Sequence, residues 1–237
     1  MNALVSVLLL AAPTVGSTWK GNWAHTNDLV ATATAGGKKH KKVSKDSVSI
    51  AFKARVEAAG EKRPSEVAIE SANVPTGPFS IRDDGGAAAV VFKKQVGFPP
   101  TNETVAAYKS TFGRLVLDDP ERAAMSSCAG PAVPAAERWL MRTSAAMFHG
   151  EVSETKLANV VVKCAMKKDR AVFDVAWEAE VPVGVVVYKF AARGNVTVDP
   201  AVWVTGWSFG GPLEVDSNSR VELKVKGTFK SSFSLGK

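Results

Sequence analysis

Apolar and polar residues alternate one for one over long stretches of this chain. In SVSIAFKARVEA, Val48, Ile50, Phe52, Ala54 and Val56 fall on one side, and Ser47, Ser49, Lys53, Arg55 and Glu57 on the other. Successive side chains of a strand point to opposite faces, so this segment reads as a half-buried strand. The preceding DLVATATAG is rich in Val and Thr, and Gly36-Gly37 between the two suits a turn. SEVAIESANV, FSIRDD and AAAVVFKKQV extend the pattern, the last two joined by the hairpin signal Asp84-Gly85-Gly86. Further on, KLANVVVKCAMKKD places Val160, Val162, Cys164 and Met166 on one face. After a turn at Lys168-Asp169-Arg170, Phe173, Val175, Trp177 and Val181 face inward and Asp174, Glu178 and Glu180 outward. VVVYKFAARGNVTVD and AVWVTGWSFGGPLEVD follow. In the closing RVELKVKGTFKSSFSL, Val221, Leu223, Val225, Phe229, Phe233 and Leu235 alternate with polar residues.

The period changes in the middle of the chain. Val105, Tyr108, Phe112 and Leu115 share a helical face, with Thr101 placed to cap the helix and Glu103 in its first turn. Asp119-Pro120-Glu121 suits a short helical turn with proline at its first position. SSCAGPAV, residues 126–133, is small and turn-prone. Pro134 then opens a helix with Ala136, Leu140, Met147 and Phe148 on one side, and Gly150 suits its C′ position. The predicted fold is α+β and mainly β: antiparallel curved sheets or a half-open barrel, with two or three helices in the middle. The expected organisation is a signal peptide over 1–17, an N-terminal β-rich half over 18–127 with a helix near 101–115, and a C-terminal half over 128–237 with a helix near 134–149. A duplicated β unit about residue 128 is one reading of that arrangement.

Charge adds one local feature. The chain carries a net charge of +7, which favours anionic partners, although the cations are spread along it. The exception is GGKKHKKVSK, where Lys38, Lys39, Lys41, Lys42 and Lys45 surround His40. No aromatic stacking residue lies within the run, so specific nucleic-acid binding is not expected. Lysines beside a glycine turn keep a hairpin tip soluble and discourage edge-to-edge pairing. The alternative is contact with an acidic envelope protein or surface.

The apolar run Ala3–Ala12, followed by Val15-Gly16-Ser17, has the length of a signal-peptide core and is too short for a bilayer span. No transmembrane span is expected in the mature chain, and the predicted location is periplasmic or extracellular. Export would place Cys128 and Cys164 where they can pair; the other reading is two separate buried thiols.

Chemistry-bearing patterns are sparse. His25, His40 and His149 lack metal-ligand spacing, and no nucleophile elbow, zinc-helix or phosphate-loop motif occurs. Neither a metal nor a cofactor is expected. Asp174 and Glu178 would stand about 13 Å apart on a strand, beyond the roughly 5–9.5 Å that glycosidase carboxylates use. Six tryptophans are many for 237 residues. Phe173, Trp177, Tyr188, Trp203 and Trp207 are the candidates for lining a pocket for a lipid or other apolar ligand, with core packing as the competing reading.

VEAAGEKRPSEVAI, GPFSIRDDGGAAAVVF, FAARGNVTVDPAVWVTGWSFGGPLEV and the closing KGTF resemble an order of motifs in exported, β-rich bacterial envelope proteins of unknown function. That resemblance implies an envelope location and a β fold. The general plan is also similar to the half-barrel with helical lid of periplasmic lipoprotein carriers, an analogy of fold from which function does not follow. The expectation is a non-enzymatic envelope protein that binds a hydrophobic ligand or an envelope component. The alternatives are a scaffold module using the basic surface, and a hydrolase whose site is assembled from distant residues.

Overall fold

Period-two segments bury one face only if neighbouring strands share it, and here all of them share a single sheet. The computed structural model describes residues 14–35, 38–60, 63–71, 77–92, 99–116, 121–148, 150–199, 203–217 and 223–236. Its strands are β1 (Thr18–Ala35), β2 (Lys38–Ala59), β3 (Pro64–Glu70), β4 (Phe79–Asp84), β5 (Ala87–Phe92), β6 (Lys156–Lys167), β7 (Arg170–Val183), β8 (Val186–Asp199), β9 (Trp203–Ser217) and β10 (Leu223–Gly236). Between β5 and β6 come α1 (Asn102–Phe112), a 3-10 turn (Gly113–Leu115), α2 (Arg122–Met125) and α3 (Ala132–Met147). Residues 1–13 of the expected signal peptide lie outside the described residues, as do Pro120, His149 and Val221.

The ten strands run in the order β5-β4-β3-β2-β1-β10-β9-β8-β7-β6, each antiparallel to its neighbours. Two meanders thus meet where β1 pairs with β10, and β5 and β6 are left as the two edges of an open, curved sheet. Laid flat, those edges would stand about 43 Å apart at the usual strand spacing. The segment joining them must cross one face, and it carries all the helices.

The alternation sets which face they cover. Phe52, Phe173 and Phe229 are all buried on the inner side, with Ile69, Ile81, Trp207 and Leu213. Irregular register at Val56–Ala59, Ala158–Val161 and Thr197–Val198 bends the strands where they curl. Inward-facing glycine makes room for rings. A Cβ on Gly194 would lie 1.9 Å from the Ser208 carbonyl oxygen and 2.7 Å from Phe209 Cβ.

Three expectations change in detail. Val48 is 40% exposed, on a stretch of β2 that pairs only with β1 among the described residues. Met166 is 47% exposed near the end of edge strand β6. Gly150 bonds its N–H to the Ala145 carbonyl, as a helix stop does, but without positive φ. Glycine is needed there because a Cβ would lie 2.3 Å from Val181 Cγ1.

Gly194→Ala should lower the unfolding free energy by about 2–3 kcal/mol through overpacking. Gly236→Ala, whose Cβ meets nothing within 4 Å, serves as the matched control. Urea denaturation of both variants checks this; equal midpoints would contradict the packing described.

Candidate functional site

The helices are fixed to the inner face at named points. Thr101 Oγ1 accepts the Thr104 backbone N–H at the start of α1. Tyr108 of α1 stacks on Phe79 with ring centres 4.4 Å apart, and Phe112 sits edge-on to Phe52 at 5.0 Å. Glu121, 3% exposed, accepts from Arg138 Nε at 3.0 Å and also from Arg142, holding the entry to α2 against α3. The Cys128–Cys164 disulfide, with Cα atoms 5.4 Å apart, ties the approach to α3 to edge strand β6. On α3, Trp139 lies edge-on to Trp207 at 6.4 Å, and Ser144 Oγ accepts from Trp177 Nε1 at 3.0 Å.

Aromatic rings of the sheet, linked through Phe112 and Phe148 of this lid, form an unbroken path. It runs Phe92–Phe79–Phe112–Phe52–Phe233–Trp207–Phe209–Trp177–Phe190–Phe148–Tyr188, each step between 4.4 and 6.3 Å. The sequence-predicted pocket residues take different places along it. Phe173 and Trp177 are fully covered and Trp207 is 5% exposed, with its Nε1 donating to Ser231 Oγ at 3.1 Å. They form the packed wall under α3. Tyr188 is half-buried and stacks on Phe148. Trp203 begins β9, and its side chain lies outside the described residues.

The incompletely covered part of the inner face follows β1. α1 packs towards β5 and the β2 ring Phe52, and α3 towards β6 and β7. Trp23, His25, Asn27 and Leu29, at successive inward positions of β1, are each half-buried. Cross-strand register sets Trp23 beside Phe233, His25 beside Ser231, Asn27 beside Phe229 and Ala31 beside Val225. Phe148, at the end of α3, reaches Phe229 at 6.3 Å, closing one side. These half-buried residues form a strip, the slot, with apolar flanks and a small polar pair between them.

That polar group is a hydrogen-bonded pair. His25 Nε2 lies 3.1 Å from Asn27 Oδ1; since an amide oxygen accepts, this bond places a proton on Nε2. Burial holds the imidazole below its ordinary 6.5, outweighing the opposing effect of the Asn27 bond. The pattern along β1 hid these residues: Gly21, His25 and Asn27 interrupt the apolar alternation that Trp19, Trp23 and Leu29 would otherwise show. The legible signal was the four-residue spacing of Trp19 and Trp23, which places both rings on one face of a strand.

The outer face is polar. One groove of about 580 Å³ opens there among Lys156, Glu178, Glu180, Lys189 and Glu214, and another of about 740 Å³ among Arg193, Asn195, Ser208 and Lys230. Asp174, Glu178 and Glu180 stand exposed on this side. Among the described residues no group of three or more His, Cys, Asp or Glu could hold a metal ion. No described helix is long and apolar enough to cross a membrane.

Fold and slot together define an open, single-sheet half-barrel with a helical lid. No protein-family model matches the chain, and no curated protein matches it. A solved structure of lipid–protein interactions in lipovitellin aligns over 94% of this chain and 25% of that one, at 7% identity and a TM-score of 0.33. This chain therefore spans about a quarter of the length of that neighbour. Ail, the attachment invasion locus protein of Yersinia pestis, aligns over 94% of this chain and 99% of its own, at 7% identity and a TM-score of 0.12. Neither superposition is close enough to identify a family.

The unfolded chain takes up a proton at His25 near 6.5, and the folded protein only at lower pH. In that interval the unfolded state binds more protons, so stability falls as pH drops below 6.5 and levels off below the folded value. His25→Gln removes this component. Urea melts of both proteins on either side of that value test it; an identical slope for wild type and variant would contradict the assignment.

Proposed function

We propose that this is an exported, non-enzymatic protein that binds an apolar ligand with a polar end in the slot over β1. The observation that carries the reading is the slot itself. Large apolar side chains, Trp23, Leu29, Phe148 and Tyr188, remain half-covered beside the buried core of the inner face. The neutral His25–Asn27 pair supplies one donor–acceptor group among them, the usual composition of a site for an amphipathic ligand. An unclosed sheet lets such a ligand enter from the side or the end without breaking a strand ladder. The disulfide suits an oxidising compartment, in keeping with the apolar N-terminal run.

Register favours a second reading for one reason. His25 stands directly across from Ser231, the arrangement from which a serine hydrolase could be built. Two observations weigh against it. Ser231 is 5% exposed, and its oxygen already accepts the Trp207 indole N–H.

A fluorescent fatty-acid analogue should bind the purified protein, and native mass spectrometry after gentle purification should show a co-purifying lipid. Trp23→Ala and Tyr188→Ala should each weaken analogue binding about tenfold, the equivalent of losing one partly buried ring. Unchanged affinity in both variants would contradict the slot. Labelling of Ser231 by a fluorophosphonate would replace the non-enzymatic reading with the hydrolase.

A further inference from the structure

The half-buried strip along β1 runs to one end of the sheet, and that end has a distinctive rim. Cross-strand register brings Ala31, Val225, Val215 and Tyr188 into one row at the inner surface there. Just beyond that row lie the β1–β2 tip, where Ala35 pairs with Lys38, and the turn at Gly184-Val185 between β7 and β8. Lys38, Lys39, Lys41 and Lys42 are exposed strand residues of this tip, and none makes an ion pair among the described residues. They project from both faces of the ribbon. Lys39 and Lys41 lie opposite Thr34 and Thr32 on the outer side, and Lys38 and Lys42 opposite Ala35 and Ala31 on the inner. Because the partner strand carries only alanine and threonine, no taller neighbour holds the lysines in place. Two valines are exposed at the same end, Val43 at 55% and Val185 at 64%.

We propose that this end docks on an anionic lipid bilayer, so that the slot exchanges its ligand with the membrane at the rim. The inference rests on the slot reading and adds the surface where exchange takes place. Charge complementarity favours a bilayer over a folded acidic protein. A flat protein surface would meet one face of the ribbon, whereas headgroups can surround both. Lysine stems can lie along the apolar boundary while their ammonium groups reach phosphate. Valines at the rim add apolar contact that a purely electrostatic partner would not use. Carboxylates near this end are mostly engaged: Asp28 with Lys45, Glu214 with Lys226 and Asp216 with Lys189. Glu151, Glu154 and Glu180 lie towards β6, so the approach tilts onto the β1–β2 side.

The test is flotation of the full chain with phosphatidylcholine vesicles, with and without phosphatidylglycerol. Binding should require the anionic lipid and weaken with salt. Replacing Lys38, Lys39, Lys41 and Lys42 together by Gln should weaken it about 100-fold or more. Val43→Ser with Val185→Ser should weaken it about tenfold. No binding to the anionic vesicles, or equal binding by the lysine variant, would overturn the proposal. So would a full-strength interaction of the valine variant that polyglutamate abolishes, which is the outcome for an acidic protein partner. Affinity for the fatty-acid analogue without vesicles reports the slot alone. The lysine variant should keep that affinity, which separates failure of the rim from failure of the slot.

Discussion

A single connection governs this architecture: the chain leaves the sheet at one edge strand, β5, and re-enters at the other, β6. Nothing else in the fold forces a lid. The crossing segment has to lie on one face, and hydrophobic burial decides which. A sheet face carrying nine of the eleven linked rings would be costly to leave wet, since each aromatic buries a large apolar area. The crossing helices cover it. The disulfide and the Ser144–Trp177 bond fix α3 near one edge, while Tyr108 and Phe112 fix α1 near the other.

This arrangement explains why the slot follows β1. The two anchored helices lie towards the flanks of the sheet and leave the inner side of β1 half-covered. Filling the middle with a larger side chain would complete a solid core. The chain instead places His25 and Asn27 there, which satisfy each other but present polar atoms to the space above. A polar pair among aromatic rings is a poor packing choice; on the proposed ligand-binding reading it is a sound recognition choice.

Much of the secondary structure was legible because alternation reports burial directly. The residues of β2, β7 and β10 were assigned to faces by period alone, and Phe52, Phe173 and Phe229 lie on the inner side. Thr101 was readable as a cap and Lys168-Asp169 as a turn. Three things were not readable. Pairing of β1 with β10 joins residues about 200 positions apart in the chain, and no local pattern encodes it. The start of β1 was hidden by Gly21, His25 and Asn27, and with it the slot. Trp177 and Trp207 were recognisable as inward-facing, but period cannot separate a ring that lines a cavity from one sealed under a helix. That distinction belongs to α3, whose position depends on Cys128 and Trp139.

The lid's closure over the aromatic face can be measured directly through indole hydrogen exchange. Trp177 donates to Ser144 of α3 and Trp207 to buried Ser231 of β10, whereas Trp23 stands in the half-covered slot. The Trp177 and Trp207 indole protons should exchange far more slowly than that of Trp23, and an apolar ligand should perturb Trp23 first. Exchange of Trp177 and Trp207 as fast as that of Trp23 would show that the helices do not seal the inner face.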